Sequence, residues 1–351
     1  MSENVQEKNK EFNEFINKPV DINNSAYYSY FISFLKGEVF GTEIPDAKYS
    51  LFEEKFIAIL NELSKIEDDD WKFDSYSYFL YSIKITRLLE ENITHIFNSL
   101  DTTEDDCEKR NLFDRVVETI QEAGLLEKNF HIILQALEKI TDEIERQFGF
   151  EFLLYFIRET PLLDENFKAT LNTIFNFRDD EVVRSAFYTL TSTLGETQLS
   201  SENFGVLLSS LDKLSVVNKL LTFSDIITTL RVSDLPKEQK QAKFSLISNK
   251  FPDILKVISN IDDENNKRYN ICHLLFSIRK TIFLEENFLA ILNIIDTIRN
   301  LAYKRANISN VISTIKEEEE KSFNEKLKLI KERFPEYSDD IVKALKNEKD
   351  T

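Results

Sequence analysis

LLDENFKATLNTIFNFRDDEVVRSAFYTLTSTLGETQ, residues 162–198, reads as a helix, a short acidic turn and a second helix. The first helix carries apolar residues at Phe167, Leu171, Ile174 and Phe177, in steps of 4, 3 and 3. That spacing lays one apolar stripe along one helix face. Asp164 precedes the run and is placed to cap it, because a carboxylate accepts hydrogen bonds from the free N–H groups of a first turn. The segment Arg178-Asp179-Asp180-Glu181 is too polar for a core. It puts acids at the start of the second helix, where the helix dipole favours negative charge. The second helix repeats the stripe with Val183, Ala186, Phe187, Leu190 and Leu194. Gly195 stands near its end, where a glycine can take the left-handed conformation that stops a helix.

Much of the chain repeats this unit. Leucine at 51, 88, 125, 162 and 199 opens successive copies, each 37 residues from the last. One column runs Phe56, Ile93, Phe130, Phe167, Phe204, Phe251 and Phe288. Three residues on stand Ile59, Ile96, Ile133, Thr170, Leu207, Ile254 and Ile291, and next to them Leu60, Phe97, Leu134, Leu171, Leu208, Leu255 and Leu292. The step from Phe204 to Phe251 is 47, so about ten residues are inserted near 233–245, around Pro236 and a lysine-rich run. A fixed period of this length marks a helical repeat array, whose units bury their apolar faces by stacking on neighbours. With only 6 glycines and 6 prolines in 351 residues, an all-α chain follows.

The run Asp180-Glu181-Val182-Val183-Arg184-Ser185-Ala186 resembles the D-x-x-V-R-x-A signature of HEAT repeats. The resemblance implies a right-handed α-solenoid of about seven 37-residue helix-turn-helix units. It also implies that Asp180 and Arg184 link neighbouring units through polar contacts at the turn. Weaker echoes are Asp106 with Arg110, Asp263 with Arg268, and Arg305 before Ala306. The fifth unit has Leu221 in place of the arginine. Neither W-x-x-L-G-x-x-Y nor T-P-L-H occurs, so the tetratricopeptide and ankyrin patterns are not met.

The organisation expected is therefore a charged N-terminal segment with a capping helix (1–50), the array (51–315) and a charged C-terminal helical tail (316–351). The stretch 28–36 resembles 76–84 and reads as a degenerate capping half-unit. In the tail, Phe323, Leu327, Ile330 and Phe334 space as a helix ended by Pro335, and Ile341, Val342 and Leu345 suggest a last short helix. No secretory-type leader is read at the start. The densest apolar run, 148–157, falls short of the roughly 20 residues of a bilayer span. Cys107 and Cys272 lie in different units, which argues against a disulfide and for a reducing cytosol. Hence the expected location is cytoplasmic.

Net charge is −18, from 44 Lys and Arg against 62 Asp and Glu. Nucleic-acid binding rests on cations that neutralise phosphates, so this balance disfavours it. The best basic cluster is Lys237, Lys240, Lys243 and Lys250. The chain has no H-E-x-x-H, C-x-x-C, G-x-S-x-G or G-x-x-x-x-G-K, and its histidines are His95, His131 and His273. The expectation is no catalysis, no metal and no cofactor, and a scaffold or adaptor that binds a protein partner on a concave surface lined by the second helices. Candidate anchors there are Tyr78, Tyr81, Phe152, Tyr155, Tyr269 and His273, with Phe276 beside them. The columns 78/152 and 81/155 recur 74 residues apart. Two alternatives stand. The phrase L-L-x-E-N-F and the glutamates at 317–320 resemble features of helical-repeat effectors from intracellular bacteria, which implies translocation and a host protein as partner. The third reading is a HEAT-like DNA glycosylase, which would need a basic groove.

Overall fold

The computed structural model describes residues 46–84, 87–195, 199–316 and 320–337, together with 10, 13, 14 and 17–20. The capping stretch 28–36, the glutamates 317–319 and the short helix expected around 341–345 lie outside the described residues. Among the described residues the regular structure is helical and there is no strand. In chain order the α-helices are α1 Asp46–Leu63, α2 Asp69–Ile83, α3 Arg87–Leu100, α4 Asp106–Glu122, α5 Leu126–Leu137, α6 Glu143–Ile157, α7 Leu162–Glu165 and α8 Phe167–Phe175. They continue as α9 Asp180–Thr193, α10 Ser201–Ser210, α11 Val216–Val232, α12 Lys237–Ser259, α13 Glu264–Ile278, α14 Ile282–Asp296, α15 Leu301–Ile315 and α16 Glu320–Arg333. The chain divides into two compact units between residues 156 and 157.

In the first unit α1, α3 and α5 pack in succession and α2 packs on α4. Each helix of one row also touches its chain neighbour in the other. In the second unit α8, α10, α12 and α14 form one row, and α9, α11, α13 and α15 the other. The tail helix α16 leans on α15. Two rows of alternate helices, each packed on the next but one, are the contact pattern of a helical solenoid. The three sequence columns form the core between the rows, and all of their residues are buried.

The second helix of every pair has the same start. Asp68, Asp105, Asp179, Ser215, Asp263 and Asn300 each occupy the N-cap and accept a hydrogen bond from a backbone N–H of the first turn. Asp142 does so for Ile144 and Glu145. An Asp or Asn cap replaced by alanine costs about 1 kcal/mol. Asp179→Ala is expected to lower the stability measured by chemical denaturation by about 1 kcal/mol, while Asp179→Ser leaves it within a few tenths of a kcal/mol.

The E-N-F phrase also has a physical reason. Asn92, Asn129, Asn166 and Asn287 each donate through Nδ2 to the carbonyl four residues earlier, at 2.9–3.1 Å. Asn203 instead donates across to the carbonyl and carboxylate of Asp164, both at 2.7 Å. Asp164 therefore does not cap its own helix. It lies in α7, and its Oδ1 also accepts from the Ser200 N–H at the start of α10, the first helix of the next pair. Burial works against the charge, but the Asn203 and Ser200 bonds win and hold this carboxyl below its usual value.

Two further expectations are corrected. Gly195 is not left-handed; among the described glycines only Gly124 has a positive φ, of 70°. There the Leu125 and Gly124 N–H groups reach back to the Ile120 and Gln121 carbonyls and close α4 in a Schellman turn. Gly195 is small for another reason: a Cβ would lie 3.4 Å from that of Ser233. The lysine-rich insertion, whose polar residues read as a solvated loop, is helical from Lys237 onward. Its residues extend α12 into a 23-residue helix that starts just after Pro236 and runs through Pro252. A helix can begin behind a proline, and Pro252 removes only one ladder bond from a helix packed along its length.

Candidate partner-binding surface

The exposed side of each second helix follows from its core stripe. In the first unit α2 presents Tyr78 and Tyr81, and α6 presents Phe152 and Tyr155 at the corresponding positions. Tyr78, Tyr81 and Tyr155 are 52–59% exposed, and Phe152 is half-buried. Phe152 and Tyr155 both meet the Phe156 ring edge-on, at 5.0 and 5.6 Å between centroids. The Lys84 ammonium lies 4.5 Å from the Tyr81 ring centre and also pairs with Glu122 at 3.2 Å.

Between these aromatics stands α4, tied to both neighbours by charge. Toward α6, the Asp106 carboxylate accepts from the Thr141 hydroxyl and from the Thr141 and Asp142 N–H groups. Its burial opposes ionisation, but those bonds keep its carboxyl below the ordinary range. Arg110 donates to Asp114 in its own helix at 3.1 Å and to Glu145 of α6 at 3.2 Å. Toward α2, Glu108 pairs with Lys72 at 3.1 Å, with both side chains buried.

Asp114 is one of the carboxyls whose ionisation the fold resists. Burial pushes its carboxyl up to about 6, against the pull of Arg110, and the neighbouring Glu145 adds to the rise. Its Oδ1 is buried without a hydrogen-bond partner among the described residues. Between the ordinary carboxyl value of 3.8 and about 6, the folded chain binds more protons than the unfolded one. Stability therefore falls as pH rises through that window and stays at the lower level above it. Asp114→Asn removes the buried charge and keeps the shape. It is expected to raise stability near pH 7.5 by about 1–3 kcal/mol, with little difference near pH 4. Urea titrations at the two pH values check the sign.

In the second unit the second helices carry Tyr188 of α9, Asp225 of α11, and Tyr269, His273 and Phe276 of α13. Tyr188, Tyr269 and Phe276 are exposed. The Tyr269 and His273 rings meet at a tilt of 55°, 4.3 Å between centroids. Burial raises the Asp225 carboxyl, and Arg184 and His273 pull it back in part. Arg231 and Arg279 lie 5.7 and 4.3 Å from the Phe276 ring centre. Arg231 also donates to the Phe276 and Arg279 carbonyls at the end of α13. A shallow groove of about 160 Å³ opens beside Phe276, bounded by Cys272 and Arg279 of α13 and by Asn310 and Thr314 of α15.

The turn residues divide their roles. Asp180 accepts from the Asn218 side chain through its backbone carbonyl, at 2.9 Å. Asp263 caps its own helix, and its neighbour Glu264 accepts from the Arg299 and Asn300 N–H groups at 2.7 and 2.8 Å. The Arg268 guanidinium sits 5.5 Å from the Tyr303 ring centre, and that of Arg305 5.8 Å from Tyr337. The lysines of the insertion do not assemble into one basic site. Lys243 is buried 5.8 Å from the Phe204 ring centre, Lys250 pairs with Asp212 and Asp253, and Lys240 donates to the Ser233 carbonyl.

Cys107 and Cys272 are both free thiols. No group of His, Cys, Asp and Glu able to hold a metal ion occurs among the described residues, and none of their helices is long and apolar enough to cross a membrane. No protein-family model matches the chain, and no curated protein or solved structure matches it either.

Proposed function

We propose that the chain is a HEAT-like, right-handed array of about seven helix pairs that binds a protein partner, without catalysis, on the exposed side of its second helices. One observation carries this reading. Tyr78 and Tyr81 of α2 recur as Phe152 and Tyr155 of α6 at equivalent positions, and three of these four rings stand in solvent. A rigid ring with a large apolar area and, in tyrosine, a polar tip is a typical interface anchor. The repeated helices supply a stiff frame for it, since each is fixed by a capped start and two packed neighbours.

The test is affinity capture from a cytosolic lysate with wild type and with Tyr78→Ala/Tyr81→Ala/Tyr155→Ala, both shown to be folded by circular dichroism. A protein captured by wild type and lost by the variant is the expected result. Equal capture by both would move the site away from these rings. Capture by neither would remove the binding role.

A further inference from the structure

The exposed stripe of α6 is apolar at four positions, with the half-buried Glu151 among them. Ile144 is 54% and Phe148 45% exposed, and Phe152 and Tyr155 continue the line at steps of 4 and 3. Those steps keep all four residues on one face. On α2, across α4, the same face opens with Asp70 and Asp74, both exposed, and ends with Tyr78 and Tyr81. Exposed apolar residues this regular are more than the scattered ones any surface carries.

Charge is as unevenly spread as apolar area. Residues 1–156 hold 32 Asp and Glu against 16 Lys and Arg, a net of −16. Residues 157–351 hold 30 against 28, a net of −2. Nearly all of the excess acid of the chain therefore belongs to the unit with the apolar stripe. Most of the bases there are spent locally: Lys72 on Glu108, Arg110 on Asp114 and Glu145, Arg115 on Glu118.

We infer that the α2–α4–α6 face of the first unit receives a basic amphipathic helix of a partner protein. Its apolar side lies along Ile144, Phe148, Phe152 and Tyr155, and its lysines or arginines face Asp70, Asp74 and the surrounding negative potential. This deepens the binding role proposed above and depends on it. Helix-on-helix docking reads anchors at steps of 3 and 4, which is the spacing of the stripe. An opposite charge on the partner speeds encounter and rejects acidic competitors. An acidic or neutral helix would meet the same apolar stripe without that attraction.

The experiment uses the full chain and three labelled model peptides of about 20 residues, long enough to hold a helix. One is an amphipathic leucine–lysine helix, one has the same composition scrambled so that no apolar face forms, and one is an amphipathic leucine–glutamate helix. Fluorescence anisotropy reads the affinity at low and at physiological salt. Saturable binding of the first peptide is expected, with the other two weaker by roughly tenfold or more. Ile144→Ser/Phe148→Ser should weaken it by roughly tenfold. Asp70→Asn/Asp74→Asn should weaken it several-fold and flatten its salt dependence. Hydrogen exchange on wild type, which needs no variant to fold, should show peptide-dependent protection over residues 143–155.

Binding unchanged in both variants, equal binding of all three peptides, or no binding at all would each overturn the inference. The broader role fails by a separate sign. If the lysate capture also finds no partner, binding itself is lost; if capture succeeds and depends on Tyr78, Tyr81 and Tyr155, only the partner chemistry argued here is wrong.

Discussion

Glu108→Ala is expected to lower the stability of the chain by about 3–5 kcal/mol, the cost of stranding one charge of a buried pair. Lys72 of α2 and Glu108 of α4 meet at 3.1 Å with their side chains only 7% and 8% exposed. Burial pushes the Glu108 carboxyl up, Lys72 opposes that rise, and the neighbouring Asp69 adds to it. Removing the glutamate leaves a buried ammonium without its ion-pair partner. Lys72→Ala should cost a similar amount for the mirrored reason. The double variant Lys72→Met/Glu108→Leu separates this account from a simple loss of contacts. It removes both charges and fills their space, so it should be neutral or more stable than wild type. Urea denaturation followed by far-ultraviolet circular dichroism measures all three. Single variants that cost under about 1 kcal/mol would place the pair among solvated ion pairs instead.

Phe251→Ala is the second large effect, again about 3–5 kcal/mol. Phe251 is fully buried on α12. Its ring lies 5.6 Å from Phe223 of α11, edge-on, and 5.6 Å from Phe283 of α14, stacked. Phe244 meets Phe283 edge-on at 5.3 Å. Truncation leaves a cavity walled by rings on three helices, which cannot collapse without shifting a helix axis. Phe148→Ala is the control. The same residue type is deleted from a solvent-exposed position, so the change should stay within about 0.5 kcal/mol. Comparable costs at 148 and 251 would contradict the assignment of Phe251 to the core and Phe148 to the surface.

The rows of helices were legible because the core pattern is local and periodic. A stripe at steps of 3 and 4, repeated every 37 residues, leaves few ways to bury every copy. The Phe56-to-Phe288 column and its two companions are buried throughout. Of the second-helix starts the sequence reading reached only the acids at 179–181, although Asp68, Asp105, Asp142 and Asp179 keep the same period, as do Asp263 and Asn300. Other features turn on tertiary context, which spacing does not carry. Asp164 stands where a cap would be, but its carboxylate is drawn to the start of α10 by the Ser200 N–H and the Asn203 amide. Polar residues around Pro236 suggest a loop, yet a proline is also a good helix start, and the lysines that follow are strong helix formers.

The candidate surface was half legible. The 74-residue recurrence marked Tyr78, Tyr81, Phe152 and Tyr155, and their exposure needed coordinates. Ile144, Phe148 and Tyr188 were missed for the same physical reason: on a helix buried along one face, an apolar residue just outside the stripe looks like core. Ile144 and Phe148 fall four residues apart in line with Phe152, a signal the 148–157 run obscured because nearly all of its residues are apolar.

The most direct measurement is hydrogen exchange on the complex of the chain with the partner it captures. The account predicts slowed exchange in the second helices of the first unit, α2, α4 and α6, with α1, α3 and α5 unchanged. Protection confined to α1, α3 and α5, or no change in any of the six, would contradict it.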